Sequence, residues 1–285
     1  MNYKLNNVTL MIFTDIDGTF IDNDTFYEGD NFDIARELCA NNHVFVFNSS
    51  KTFHEIISLQ TKHSTNYPFI CETGGGIYHR SLPQHEPCKI REDYDVIFES
   101  KKVNSFQRLI KEEIYKNFKD DIDLFEDLDY SEKARLSGLS GNDLLLASKR
   151  DFSILITWKS DYTKYQQFES VVKGFGLNIV KGARFCHICG PHDKGKAVRY
   201  YLDRIKSYRG DEKFITVGVG DSSNDIEMLA NVDYACVVKS KNNENLINKI
   251  NNNNIIYSKN PAPIGWADCI KDVFLKIKST ENTDV

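Results

Sequence analysis

The chain has 285 residues, of which 41% are hydrophobic, and its formal net charge is -5 at pH 7. That length and hydrophobic content are enough for a core of ordinary size, and they favour two modest domains. Acidic and basic residues are mixed along the chain, so the sequence offers no basic face to which nucleic acid would bind.

The amino terminus, Met1 to Thr9, has one lysine and no apolar run of signal-peptide length. No segment reaches the roughly 18 apolar residues that a membrane span needs. We therefore expect a cytoplasmic protein that has no membrane partner. The sequence leaves the choice between monomer and dimer open.

The chain has seven cysteines, an odd number, and most of them lie in or beside apolar runs. This placement favours buried, reduced thiols over a disulfide framework. Cys186 and Cys189 have the spacing of a zinc or redox pair, but no second Cys-x-x-Cys completes a set of four ligands. We interpret their segment as a strand that enters a loop.

The first strong element is the apolar run from Leu10 to Phe13, which predicts a short buried strand. Asp15 and Asp17 follow it, where the strand turns into a loop. Residues i and i+2 of an extended segment point to the same side, so both carboxylates can face one pocket at the carboxyl end of a parallel sheet. Carboxylates this close favour a cation between them, and oxygen ligands suit Mg²⁺. The alternative is a pair of solvated loop aspartates.

A helix over 32–40 and a second buried strand over 44–47 begin a βαβ pattern. The second strand ends in Ser49, Ser50 and Lys51, ahead of a helix from Phe53 to about Leu59. Hydroxyls and backbone amides at the start of a helix form a phosphate-binding site. A capping serine beside an exposed lysine explains the same residues.

A strand over 68–71 and a glycine-rich turn, Glu72 to Gly76, precede a change of character. Between residues 83 and 183, predicted helices over 103–117, 131–136 and 161–173 surround a strand over 152–158. This mixture predicts an inserted α+β cap between two parts of a core, residues 1–82 and 184–285. We interpret the acidic run 120–129 as a solvated loop.

From residue 184 the alternation of strand and helix resumes, with a strand over 184–189 and a helix from Lys194 to about Ile205. The strand over 214–219 ends in Asp221, Asn224 and Asp225, which places two more carboxylates at a strand end. The remaining elements complete a doubly wound parallel sheet of the α/β class. They are predicted strands over 234–238 and 255–257 and predicted helices over 243–250 and 266–277.

Four groups of polar residues therefore fall at strand ends of one core. Because the carboxyl ends of parallel strands lie at one edge of a sheet, we expect these groups to meet. Three carboxylates can hold Mg²⁺, and a lysine and a serine hydroxyl can bind a phosphate beside it. The groups are Asp15 with Asp17, Ser49, Lys194, and Asp221 with Asp225.

The order of these motifs resembles the haloacid dehalogenase superfamily. Its phosphatases have a Rossmann-like core and carry D-x-D-G-T, a strand-end Ser or Thr, a Lys and G-D-x-x-N-D, all present here in that order. The insert lies where its sugar phosphatases have their cap. Shorter segments are similar to its mannosyl-3-phosphoglycerate phosphatase branch: Ser49-Ser50-Lys51-Thr52, Glu72-Thr73-Gly74-Gly75, Gly182-Ala183-Arg184-Phe185, Asp193-Lys194-Gly195 and Gly265-Trp266.

The resemblance implies a Mg²⁺-dependent phosphatase that forms an aspartyl-phosphate. Asp15 would be the nucleophile, and Asp17 would serve as general acid and then general base. The metal would be bound by Asp15, the backbone carbonyl of Asp17, and Asp221. The phosphoryl group would be bound by Ser49, Ser50, Lys51 and Lys194. Asn224 and Asp225 would orient a metal-bound water or Lys194.

The implied substrate is mannosyl-3-phosphoglycerate or a related glycosyl phosphoglycerate. That branch has an Arg-Glu-Phe-Ser-Glu-Pro-like cap segment, and the nearest match here begins at Arg150. Arg150 would pair with a carboxylate of the substrate, and Ser153 would also bind the substrate. Ile154 and Leu155 replace the Glu-Pro pair. Either the substrate differs from that of the branch, or the alignment is shifted and Ile154 belongs to the buried face of the strand.

Other interpretations remain. The protein could be a general sugar-phosphate phosphatase, or a catalytically silent binding module of the same fold. A dinucleotide-binding oxidoreductase would share the sheet, but its first strand should lead into G-x-G-x-x-G, and this one leads into D-x-D-G-T.

Overall fold

A computed structural model of the protein describes residues 3–5, 8–80, 90–182, 184–210, 212–241, 243 and 246–281. The strands in these ranges are β1 (Thr9–Thr14), β2 (Val44–Asn48), β3 (Phe69–Cys71), β4 (Gly76–His79), β5 (Ile90–Arg91), β6 (Tyr94–Glu99), β7 (Ile122–Leu124), β8 (Ser153–Trp158), β9 (Asn178–Lys181), β10 (Cys186–Cys189), β11 (Phe214–Gly220), β12 (Tyr234–Lys239) and β13 (Ile255–Pro261). The α-helices are α1 (Asn31–Ala40), α2 (Phe53–Lys62), α3 (Gln107–Leu109), α4 (Lys116–Phe118), α5 (Tyr130–Ser137), α6 (Gly141–Ser148), α7 (Tyr162–Gly174), α8 (Lys194–Arg209), α9 (Ile226–Leu229) and α10 (Ile264–Glu281). A π-helical stretch, Ile110–Tyr115, joins α3 to α4.

The larger sheet has the strand order β13-β12-β11-β1-β2-β3-β4-β6-β5. Neighbouring strands from β13 to β3 are parallel, and β4, β6 and β5 add an antiparallel edge. Helices α1, α2 and α10 pack on one face, and α8 and α9 pack on the other. The predicted doubly wound α/β sheet is confirmed, and the carboxyl ends of β1, β2 and β11 lie side by side.

Strand β1 is central in this sheet, between β11 and β2. Leu10 and Ile12 pack on one face, and Met11 and Phe13 pack on the other, each of them fully buried. A strand that is covered on both faces needs apolar residues at every position, which explains the uninterrupted run in the sequence.

A second, antiparallel sheet has the order β7-β8-β10-β9 and packs against α7 and the α3–α4 helix. Strand β10 therefore belongs to the insert, and the prediction that a core strand begins at residue 184 is wrong. The apolar run in β10 predicts a strand, but only its pairing with β8 and β9 decides the sheet. Strands β5 and β6 belong to the core sheet although they lie after residue 83. We propose that the cap spans residues 100–190.

Several local predictions also differ from the structure. The acidic run 120–129 contains β7, whose Ile122 and Leu124 are buried in the cap, so it is not simply a solvated loop. Helix α6 was not predicted. The predicted helix over 243–250 falls partly outside the described residues, and its described part contains a 3-10 turn, Ile247–Lys249.

The six described cysteines are free thiols, as predicted, and Cys186 and Cys189 lie buried within β10. In the described part of the chain, no helix combines the length and the apolar character that crossing a membrane requires.

Candidate active site

Asp15 and Asp17 lie just beyond β1, at the edge where the sheet ends. The Asp15 amide donates a 2.9 Å hydrogen bond to the Val219 carbonyl, which extends the pairing with β11 by one residue. Gly18 then turns the chain away with a φ of +78°, and a Cβ at this position would lie 2.9 Å from Asp221 Oδ2. Only glycine permits both this conformation and this approach of the Asp221 carboxylate.

Trp266, at the start of α10, holds the end of β1 from within the core. Its buried Nε1 donates a 3.0 Å hydrogen bond to Thr14 Oγ1, and that hydroxyl donates a 2.8 Å bond to the Asp15 carbonyl. The Gly265-Trp266 segment therefore lies directly behind the predicted nucleophile.

Lys194, the first residue of α8, enters the same site from another element. The Asp193 side chain caps this helix by accepting a hydrogen bond from the Lys196 amide. The Lys194 ammonium is fully buried, 2.8 Å from Asp15 Oδ1 and 2.6 Å from Asp225 Oδ1. Burial alone would lower the pKa of Lys194, but the Asp15 and Asp225 carboxylates outweigh it and raise the pKa to about 12.

Asp225, after β11, is held on both of its oxygens. Its Oδ1 accepts from Lys194, and its Oδ2 accepts backbone hydrogen bonds from Asp221 (3.1 Å) and Ser222 (3.0 Å). Asp221 Oδ1 accepts a 3.0 Å hydrogen bond from Thr19 Oγ1. Asp225 thus holds both the Lys194 ammonium and the loop that begins at Asp221.

The carboxylates of this cluster fit a bound cation. Oxygens of Asp15, Asp221 and Asp225 lie within 4.8 Å of one another. Burial raises the pKa of Asp15 to about 7, although the Lys194 ammonium opposes this shift, and burial raises the pKa of Asp221 well above its usual range. Repulsion from the Asp225 carboxylate adds to both shifts. Because both oxygens of Asp225 already accept hydrogen bonds, Asp15 and Asp221 would be the residues that hold the ion. Oxygen ligands of this type suit Mg²⁺.

The loop after β2 reaches the site from the other side of β1. Lys51 Nζ lies 2.9 Å from Asp17 Oδ2, and Asp17 Oδ1 is buried without a hydrogen-bond partner among the described residues. Ser49 is buried, and its hydroxyl accepts a 3.2 Å hydrogen bond from the Lys51 amide. Asp17 therefore has one oxygen held by a lysine and one that is unpaired within the described residues.

Two predicted substrate residues, Arg150 and Ser153, lie just before and at the start of β8. Arg150 Nη2 donates a 2.8 Å hydrogen bond to the Ser50 carbonyl, and its Nε donates a 2.9 Å bond to Ser153 Oγ. The Ser153 hydroxyl in turn donates a 2.7 Å bond to the buried Glu72 carboxylate. Arg150 lines the cavity described below, but Ser153 does not, so the structure gives no support to direct substrate binding by Ser153.

One cavity lies between the core and the cap and contains most of the predicted residues. Its core side is formed by Asp15, Asp17, Ser50, Lys51, Asp221 and Asn224, and its cap side by Phe125, Arg150, Leu155, Arg184, Phe185 and His187. Ser49, Lys194 and Asp225 lie behind this surface. The site is therefore charged on the core side and mixed aromatic, aliphatic and basic on the cap side.

The two apolar residues of the predicted substrate segment face opposite ways. Ile154 packs in the cap core, as the shifted-alignment interpretation requires, and Leu155 lines the cavity. Residues of a strand alternate between its faces, so a shift of one position exchanges their surroundings.

Sequence reasoning missed the cavity residues Phe125, Phe185, Arg184 and His187. Arg184 and Phe185 stand in a segment that resembles the phosphatase branch, and that was the only signal for them. Arg184 joins the two parts of the protein, because it donates to the Ser137 carbonyl of the cap and, at 2.8 Å, to the Asn23 carbonyl of the core.

The fold and the site define an α/β protein that has a doubly wound sheet, carboxylates at adjoining strand ends and an inserted cap. Residues 12–261 match the haloacid dehalogenase-like hydrolase family, and the chain belongs to that family. It is 32% identical over 276 residues to a glucosyl-3-phosphoglycerate/mannosyl-3-phosphoglycerate phosphatase of Methanococcoides burtonii, covering 93% of this chain and 97% of that one. A protein of the same name from Persephonella marina is 29% identical over 275 residues, covering 94% and 98%. The predicted enzyme class, a phosphatase of this superfamily, is confirmed.

Solved structures show the same fold. A haloacid dehalogenase-like hydrolase from Bacteroides thetaiotaomicron has a TM-score of 0.63 at 17% identity, over 94% of this chain and 99% of that one. A sucrose-phosphatase from Synechocystis sp. has a TM-score of 0.56 at 13% identity, over 89% and 93%.

Proposed function

We propose that the protein hydrolyses phosphomonoesters through an aspartyl-phosphate on Asp15. The observation that carries this proposal is the position of Asp15, enclosed in the cavity beside Asp17 and in contact with the buried Lys194. A carboxylate placed in this way can act as a nucleophile while a fixed cation stabilises the charge of the transferring group.

In the first step, a carboxylate oxygen of Asp15 forms a bond to phosphorus, and the bond to the alcohol oxygen breaks. Asp17, whose Oδ1 has no partner among the described residues, gives that alcohol a proton. In the second step, Asp17 takes a proton from a water molecule that attacks phosphorus, and inorganic phosphate leaves Asp15.

Asp15, the Asp17 carbonyl and Asp221 would hold Mg²⁺, which supplies the positive charge that lets an anionic phosphate approach these carboxylates. Lys194 would stabilise charge on the phosphoryl oxygens. Ser49 would fix the loop that carries Ser50 and Lys51. Asp225 would keep Lys194 in place. Asn224 would contact the substrate beside the metal.

We propose glucosyl- or mannosyl-3-phosphoglycerate as the substrate. The names of the two relatives support this choice, and so do the basic residues of the cavity. Beyond the phosphate, such a substrate carries a carboxylate and several hydroxyls. Lys51, Arg150 and Arg184 line the cavity and offer positive charge for the carboxylate. Phe125 and Phe185 offer flat apolar surface, which also fits simpler sugar phosphates, the second candidate class.

Phosphate release from a panel of glycosyl phosphoglycerates, sugar phosphates and p-nitrophenyl phosphate tests this proposal, with and without Mg²⁺. Asp15→Asn should keep the fold and abolish release from every substrate. Asp33→Asn is a matched control, because its side chain is 78% exposed on α1. An Asp15→Asn enzyme with wild-type turnover would rule out the covalent mechanism, and an inactive wild type would rule out the phosphatase.

A further inference from the structure

His187 is a buried histidine in the cavity for which the proposed steps have no use. It lies in β10, where Cys186 and Ile188 point into the cap core. His187 points to the opposite face of that sheet and is only 5% exposed. It lines the cavity that also contains Asp15 and Asp17.

The imidazole has hydrogen-bonding capacity that the protein leaves unused. Among the described residues, Nδ1 has no hydrogen-bond partner. Burial lowers the pKa of His187 well below its usual value, and the charges of Arg150 and Lys194 lower it further. The ring is therefore neutral at pH 7, with one nitrogen that donates and one that accepts.

Two described neighbours of this ring offer it no polar side chain. Its cross-strand neighbour Leu155 lines the same cavity with an apolar side chain. Gly182 lies close against the ring on another side, because a Cβ there would be 3.0 Å from His187 Nε2. A polar group enclosed in this way destabilises the site until a ligand pairs with it.

We propose that His187 binds a hydroxyl group in the organic part of the substrate and so selects hydroxylated phosphomonoesters. A hydroxyl both donates and accepts, which matches a neutral imidazole, whereas a phosphate or carboxylate only accepts. The phosphoryl group must lie at Asp15 on the core side. The cap residue His187 therefore faces the organic part of the substrate. This inference rests on the proposed phosphatase activity and adds a determinant of its specificity.

The test compares kcat/KM for the best glycosyl phosphoglycerate or sugar phosphate with that for p-nitrophenyl phosphate, whose leaving group has no further hydroxyl. His187→Phe retains a flat ring without hydrogen bonds. It should lower kcat/KM for the hydroxylated substrate by about tenfold or more, mainly through KM, and change the value for p-nitrophenyl phosphate less than about twofold. His187→Gln restores a donor and an acceptor and should recover part of the loss.

Ile188→Val is the matched control, because this neighbour lies on the same strand and faces the cap core. It should leave the ratio of the two kcat/KM values unchanged. Equal losses on both substrates in His187→Phe would overturn the inference, and so would an unchanged ratio or a His187→Gln variant that behaves like His187→Phe. These outcomes differ from failure of the proposed function, in which the wild type releases no phosphate from any substrate.

Discussion

Lys194 Nζ lies 2.8 Å from Asp15 Oδ1 in a site where the lysine is fully buried and the aspartate is 5% exposed. The two residues are far apart in the sequence, and β1 and α8 bring them together. Without this ammonium, Asp15 and Asp225 would be two enclosed carboxylates that repel each other. The Lys194 ammonium therefore balances the charge of both carboxylates, and in the proposed mechanism it prepares Asp15 for reaction with an anion.

We expect Lys194→Ala to lower kcat/KM by a factor of order 10² or more, because the transferring phosphoryl group loses a fixed cation. Removal of one partner from a buried ion pair should also destabilise the protein, by about 3–5 kcal/mol at neutral pH. Steady-state kinetics and urea unfolding measure the two effects separately. Lys196→Ala, on the same helix with a side chain that is 53% exposed, is the control. A Lys194→Ala enzyme with normal kinetics would place the lysine outside the reaction.

Arg150→Ala should reduce the preference for glycosyl phosphoglycerates over simpler sugar phosphates. The guanidinium lines the cavity and is fixed by the Ser50 carbonyl and the Ser153 hydroxyl, which suits it to pair with a carboxylate. The expected loss in kcat/KM for a carboxylate-bearing substrate is about 1.5–3 kcal/mol, the usual value of a charged hydrogen bond. Lys149→Ala removes a neighbouring, exposed cation and should have no such effect. A preference that survives the Arg150 change would show that this segment does not select the substrate.

Glu72→Gln should destabilise the junction between the core and the cap. The Glu72 carboxylate accepts hydrogen bonds from the amides of Asp151 (2.8 Å) and Phe152 (3.0 Å) and from the Ser153 hydroxyl. In the glutamine variant an NH₂ group replaces one acceptor oxygen and faces these donors. We therefore expect a loss of about 1–3 kcal/mol in the free energy of unfolding. Thermal and urea unfolding measure it, with the surface variant Glu112→Gln as control. Equal stability of the two variants would mean that the Glu72 carboxylate does not hold the cap segment.

His192 should make the stability of the protein depend on pH. Burial lowers the pKa of His192 to about 4, because the charged ring would lie in the protein interior. The unfolded chain takes up a proton near pH 6.5 and the folded chain does not. The neutral His192 therefore makes its full contribution to the free energy of unfolding above pH 6.5. It is lost as the pH falls toward 4, by about 3 kcal/mol in total.

Urea unfolding of wild type and His192→Gln between pH 7 and pH 4 measures this contribution. The stability of the wild type should fall more steeply than that of the variant, and the difference in slope should approach one proton. Parallel pH profiles for the two proteins would contradict the prediction.

The residues at the end of β1 show why so much of the site could be predicted. An apolar run marks a strand that is covered on both faces, and a parallel sheet aligns strand ends, so Asp15, Asp17 and Asp221 were expected to meet. Local pattern and sheet topology together determine the contacts of these three residues, and neither depends on the details of side-chain packing. Lys194 reaches the site although the strand before it, β10, lies in the cap sheet, so alignment of core strand ends does not explain its position.

The sequence by itself determined the α/β class, the presence of an insert and the strand-end residues, because hydrophobic periodicity and motif order are local properties of the chain. Only the tertiary structure decided that β10 belongs to the cap sheet, that Leu155 and not Ile154 lines the cavity, and that His187 lies there. Each of these depends on which strand pairs with which and in what register. A period of two residues predicts that a strand has two faces, but it does not reveal which face meets the ligand.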